Sequence, residues 1–323
     1  MSDSSRTPAI SVSDLRKSYG EQVVLDGIDL TVPRGTIFSL LGPNGAGKTT
    51  TVQILSTLIR ADGGEARVGG HDVAADPARV RSAIGVTGQF SAVDELLTGR
   101  ENLLMMGDLY HLPRAENRRT AQRLLEQFDL VDSADKTAAS YSGGMTRRLD
   151  LAMTLVGQPS IIFLDEPTTG LDPRSRRAMW DIIRELVAGG VTIFLTTQYL
   201  DEADDLAHRI AVLDHGRIVA EGTPDQLKRL VPGGHIRLSF ADRAELDIAA
   251  DLLGGVPDEL TLAVPSDGSV KSLRAVLDRL DSARIEPEGL AVHTADLDDV
   301  FLSLTGKSTP EAAAATAEKE TAR

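Results

Sequence analysis

Gly42-Pro43-Asn44-Gly45-Ala46-Gly47-Lys48-Thr49 fits the pattern G-x-x-x-x-G-K-[ST]. It stands between a short run with the character of a buried strand, Ile37-Phe-Ser-Leu-Leu41, and a stretch that reads as a helix from Thr49. Each part has a task in holding phosphate. The glycines let backbone N–H groups turn inward around an anion, and the helix N-terminus adds partial positive charge. Lys48 brings a full charge to the β- and γ-phosphates of a nucleotide, and the Thr49 hydroxyl is placed to ligate Mg²⁺. The nucleotide contacts expected here are Gly42, Pro43, Asn44, Gly45, Ala46, Gly47, Lys48, Thr49 and the following Thr50.

Working outward, Ile161-Ile-Phe-Leu-Asp165-Glu166 is a second buried strand that ends in two carboxylates, which a strand interior would not tolerate unpaired. Ligands of open α/β sheets bind at that edge. Asp165 is therefore the candidate to hold Mg²⁺ through water, and Glu166 the candidate to orient and deprotonate an attacking water. A third strand, Val191 to Leu195, completes the pattern of short β-branched runs and helical periods from residue 10 to about 230. That pattern predicts an α/β, P-loop NTPase domain with a mainly parallel sheet. Between about 91 and 156 strand signals vanish and helical periods dominate, as in Arg114 to Phe128, which reads as a helical insert.

Pro232-Gly233-Gly234 is a breaker. After it come a strand (Ile236 to Phe240), a helix (Arg243 to Leu253), a strand (Glu259 to Val264) and a helix (Val270 to Leu280). Residues 233–306 thus read as a small α+β accessory domain. Its last element sets Leu297, Val300, Phe301 and Leu304 on one helical face. Residues 307–323 are polar and Ala-rich and read as a disordered tail.

Composition narrows the function. With 34 Lys+Arg against 48 Asp+Glu, the net charge of −14 argues against a nucleic-acid binder. The absence of cysteine excludes disulfides and thiolate chemistry, and the six His residues have no i, i+3 or i+4 pairing, which disfavours a zinc site. Hydrophobic residues make up 41% and aromatics 4%, so an aliphatic core is expected. No run of about 18 apolar residues is present, and the opening MSDSSRTPA lacks a signal-peptide core, so a cytoplasmic chain is expected.

Tyr141-Ser142-Gly143-Gly144-Met145, lying between the P-loop and Asp165, resembles the signature loop of ATP-binding-cassette (ABC) ATPases, although that family more often has Leu first and Gln last. The resemblance implies that Ser142, Gly143 and Gly144 bind the γ-phosphate held by the other subunit of a homodimer. It further implies that Tyr19 stacks on adenine and that Gln89, after the Ile84-Gly85-Val86 strand, contacts Mg²⁺ and faces a membrane partner. The Thr169-Gly170-Leu171-Asp172 turn is similar to the loop that touches the opposite subunit. One departure concerns the switch residue: after the third strand the chain reads Thr196-Thr197-Gln198-Tyr199, where most cassettes put His at position 198. Gln can donate an N–H to the γ-phosphate but cannot carry a proton.

The string Thr196-Thr-Gln-Tyr-Leu-Asp-Glu-Ala-Asp204 and the late Ala295-to-Gly306 segment closely resemble the daunorubicin/doxorubicin-resistance (DrrA-type) branch of export ATPases. The resemblance implies an ATPase, peripheral on the inner face of the cell membrane, that powers efflux of a hydrophobic drug or antibiotic through a separate polytopic membrane permease. Glu166, Gln198 and Lys48 are its expected catalytic set. The alternative is a soluble ABC-type ATPase acting on ribosomes or DNA. A single P-loop, the lack of a long heptad array and the acidic charge favour the exporter.

Overall fold

The computed structural model describes residues 7–88, 91–230, 234–266, 269–293 and 296–306. They divide into two compact units, with the division between Pro224 and Asp225.

The first unit is built on a six-stranded sheet in the order Arg217–Gly222, Arg209–Asp214, Ile37–Leu41, Thr192–Thr197, Ile161–Asp165, Ile84–Thr87. All its neighbours pair in parallel except the Arg217–Gly222 edge. Strands covered on both faces read as nearly unbroken apolar runs, which is why Ile37–Leu41 and Ile161–Asp165 are buried at every position. Side-chain alternation sends Phe38, Leu40, Phe163 and Phe194 to one face, where a four-stranded antiparallel sheet and the helix Lys48–Leu55 contribute Ile10, Leu30, Val68 and Leu55. Ile37, Ile162, Leu164, Ile193 and Leu195 face the other way, onto Leu103, Leu124, Phe128, Leu149 and Ile183 of the helical layer. The expectation of an aliphatic core needs correction at the centre. Phe38, Phe194 and Phe163 form a row across three strands, with centroids 5.7 and 5.5 Å apart.

Two boundaries differ from the sequence reading, and both differences shape the site. The third strand runs on to Thr197, so Thr196 pairs with Asp165 and Thr197 with Leu41. The string Tyr141–Met145, read as a loop, is already helical from Gly143, because the Ser142 side chain caps the helix Gly143–Thr154 by accepting from the Met145 amide at 3.3 Å. The insert contains the helices Gly99–Leu109, Arg114–Gln127 and Gly143–Thr154.

The second unit has an antiparallel sheet in the order Val256–Asp258, Thr261–Pro265, His235–Ser239, Gly289–His293. Its core joins Ile236, Leu238, Phe240 and Leu262 to Leu246 and Leu280 of the helices Arg243–Leu253 and Val270–Ala283. Two of its strands escape the sequence reading. Glu259 has φ 51° and sits in a two-residue turn, so the expected strand from Glu259 begins at Thr261 and is preceded by a hairpin partner. Gly289–His293 lies at the sheet edge with Leu290 and Val292 half-exposed, which blurs the alternation. The tail from Lys307 lies outside the described residues. Among the described residues no helix is long and apolar enough to cross a membrane.

Candidate functional site

Three parallel strands end together: Leu41, Asp165 and Thr197 deliver Gly42, Glu166 and Gln198 to one edge of the sheet. The loop after Leu41 fits between neighbouring backbones. A side chain at Gly42 would put its Cβ 2.3 Å from the Leu213 carbonyl, and Gly47 takes φ 110°. Only glycine meets both demands at little cost. The Gly42 amide donates to Thr197 O at 3.3 Å, and the Gly216 amide to Ala46 O at 3.2 Å, which anchors the loop at two points. The amides of Gly45, Gly47, Lys48 and Thr49 donate to no described residue, and neither does the Thr49 hydroxyl. They stand at the N-terminus of the helix Lys48–Leu55, where the helix dipole favours an anion.

Lys48 is buried, and its Nζ donates to the carbonyls of Gly42 (2.8 Å) and Pro43 (3.1 Å). It also lies 3.5 Å from Glu166 Oε1. Burial pulls the Lys48 ammonium below its ordinary pKa, and the carboxylates of Glu166 and Asp165 oppose that shift. Asp165 is buried and one of its carboxylate oxygens accepts from the Thr196 hydroxyl. Glu166 takes φ 51°, unusual outside glycine, and is held by its amide donating to Thr196 O at 3.1 Å. Its other carboxylate oxygen accepts from the Thr169 hydroxyl at 3.4 Å. Orphan amides, a buried cation and hard oxygen donors at Thr49 and Asp165 fit a nucleoside triphosphate with Mg²⁺.

The other expected residues fall at different distances from this centre. Ser142 caps its helix, and the following Gly143 shares a recess with Thr146, Glu166, Thr169 and Gly170. Gly144 approaches the Ser175 hydroxyl so closely that a Cβ would lie 2.7 Å from it. Gln198 is half-buried directly after the Thr192–Thr197 strand. Tyr19 is half-exposed at the end of the Ile10–Tyr19 strand, with Lys17 Nζ 5.4 Å from its ring centre. Asp172 caps the helix Pro173–Ala188, accepting from the amides of Arg174 and Ser175 at 2.9 Å, and the Ser175 hydroxyl at 2.6 Å, together with those amides, holds its carboxyl below the usual range. Gln89 lies outside the described residues.

Three contributors carry no role in the sequence reading. Arg147 donates to the carbonyls of Asp165, Glu166 and Pro167. Thr196 holds the Asp165 carboxylate. Glu202, fully buried, accepts from the Thr168 hydroxyl at 2.8 Å and the Trp180 indole N–H at 3.1 Å. The available signal for Arg147 is a charged pair, Arg147 and Asp150, at i, i+3 on the same helix as Leu149, Leu151, Ala152 and Met153.

Comparison with known proteins agrees with this geometry. A family model described as ABC transporter matches residues 25–169. The chain is 52% identical to the daunorubicin resistance ATP-binding protein DrrA2 of Streptomyces coeruleorubidus, over 93% of this chain and 96% of that one. It is 49% identical to the daunorubicin/doxorubicin resistance ATP-binding protein DrrA of Streptomyces peucetius, over 95% and 97% respectively. Among solved structures it is similar to an ATP-binding cassette captured as a dimer in a post-hydrolysis state with ADP and phosphate. That match has a TM-score of 0.61 at 25% identity and covers 66% of this chain and 98% of the other.

Proposed function

Because the chain belongs to the ABC transporter family of ATP-binding ATPases, in its daunorubicin/doxorubicin-resistance branch, we propose that it powers drug efflux through a separate membrane permease. The observation that carries this reading is the meeting of Lys48 and Glu166 beneath the free amides of the Gly42–Thr49 loop. In such a site Lys48 and the loop amides bind and orient the triphosphate. Glu166 takes a proton from the attacking water, and Gln198 donates an N–H to the γ-phosphate. Thr49, Asp165 and Gln89 would hold Mg²⁺, which would supply neutralisation of phosphate charge. Thr50 lies one residue further into the helix, and Tyr19 supplies a face for the adenine.

Two copies complete two sites. The capped helix start at Ser142, with Gly143 and Gly144, is an anion-binding N-terminus suited to the γ-phosphate of the sister subunit. The turn at Thr169–Asp172 meets that sister subunit. ATP closes the dimer and hydrolysis reopens it, so the chain works peripherally at the inner face of the membrane while the permease supplies the pathway. The cargo is a hydrophobic compound of the anthracycline kind, by analogy with the named relatives. None of the relatives compared favours the ribosome- or DNA-directed alternative.

The test is co-expression with a candidate membrane permease in a drug-sensitive host, followed by efflux measurements across drug classes. Efflux that requires both proteins and disappears with Glu166→Gln is the expected result. Unaltered drug accumulation with both proteins present in the membrane would refute the export role.

A further inference from the structure

The groups that would act on ATP hang from a backbone that one side chain outside the motifs holds in place. Arg147 lies on the helix Gly143–Thr154, and its guanidinium has five N–H donors. All five have acceptors. Nε donates to Pro167 O at 2.9 Å, and Nη2 to Asp165 O at 3.2 Å and Glu166 O at 3.3 Å. Nη1 donates to Gly88 O at 2.8 Å and to Asp150 Oδ2 at 3.3 Å. The second oxygen of Asp150 accepts from the Ala92 amide at 3.1 Å. The pair is buried, with side chains 10% and 4% exposed.

One guanidinium therefore grips three successive carbonyls around the left-handed Glu166, and it also holds Gly88 directly and Ala92 through Asp150. A residue with φ of 51° and a side chain needs its neighbours to hold it there. The amide bond to Thr196 fixes Glu166 from the sheet side, and Arg147 fixes it from the helical insert. A lysine keeps the charge but offers three donors on a flexible stem and cannot reproduce the fork.

We propose that Arg147, braced by Asp150, is a positioning residue that sets the aim of the Glu166 carboxylate and ties it to Gly88 and Ala92. The proposal rests on Glu166 being the base that activates water. Displacing such a base by a fraction of an ångström slows chemistry without loosening nucleotide, because Lys48 and the loop amides are untouched.

The experiment compares Arg147→Lys and Asp150→Asn with the unaltered full-length chain, measuring ATP dissociation constant, kcat and melting temperature. The Arg147→Lys change is then repeated in a Glu166→Asp background, where the carboxylate is already displaced. The expected result is a fall in kcat of about tenfold or more with ATP affinity within about threefold. In the Glu166→Asp background the same change lowers kcat by less than about threefold, since the two act as a unit. A kcat within about twofold of the parent, or an equal loss in both backgrounds, overturns the proposal. Should Arg147→Lys fail to fold, Asp150→Asn carries the same comparison, with kcat reduced and affinity kept as the supporting outcome. Normal turnover by Glu166→Gln would instead fault the base on which the proposal rests.

Discussion

Lys48 Nζ and Glu166 Oε1 lie 3.5 Å apart, with both side chains buried. The ammonium that would bind phosphate and the carboxylate that would activate water thus offset each other's charge in one small space. Removing either leaves its partner buried without compensation. The two substitutions should still separate by function. Lys48→Ala loses nucleotide affinity, by about a hundredfold for a charge-assisted phosphate contact. Glu166→Gln keeps affinity, loses turnover and accumulates as a closed ATP-bound dimer, read by nucleotide titration and size-exclusion chromatography. Steady-state turnover at the parent rate in Glu166→Gln would remove Glu166 from the base role.

At position 198 a neutral amide replaces the ionisable side chain usual for the family. Gln198→Ala is expected to lower turnover, since the γ-phosphate loses a donor. Gln198→His retains activity and gains a pH dependence near the ordinary His pKa of about 6.5. Turnover of Gln198→Ala equal to the parent would mark the position as a spacer.

Glu202 offers a stability test with a defined sign. Burial raises its carboxyl above the ordinary value, and hydrogen bonds from Thr197, Thr168 and Trp180 oppose the rise without cancelling it. The unfolded chain therefore releases this proton at a lower pH than the folded one. Stability falls as pH climbs from the ordinary value of 4.5 towards the raised one, and the cost persists above it. Glu202→Gln, which keeps an acceptor for Thr168 and Trp180, should melt about 2 °C or more above the parent at pH 8, with the gap closing towards pH 4.5. Glu202→Ala strands two buried donors and should cost about 1–3 kcal/mol in denaturant melts. A gap that is constant across pH would refute the linkage.

The second unit has its own core and holds none of the proposed phosphate contacts. A chain ending at Leu230 should therefore still bind ATP. If residues 233–306 serve assembly, that truncation loses dimerisation, permease-dependent efflux, or both. Full efflux from a stably expressed truncation would show that the unit is dispensable for assembly.

What could be read from sequence was whatever a local backbone imposes on residue type. The P-loop needs its glycines, a buried strand reads as an apolar run, and the acids at 165 and 166 betray the strand's end. Contacts between distant segments leave no such trace. Arg147 reaches Gly88 across 59 residues and Thr168 reaches Glu202 across 34, and each is an ordinary polar residue in its own neighbourhood. Two short strands of the small unit were missed for a related reason. At a sheet edge the burial contrast between faces is weak, so alternation fades.

Trp180 is the chain's single tryptophan, and its indole N–H is held by the Glu202 carboxylate on the helix that follows Gln198. The molecule therefore carries its own optical reporter. Indole emission responds to the charge and hydrogen bonding around its ring, and no other tryptophan dilutes the signal. Stopped-flow fluorescence of the unlabelled protein on mixing with ATP can time any rearrangement that reaches the Gln198 segment, with Glu202→Gln as the control that alters the reporter's own partner.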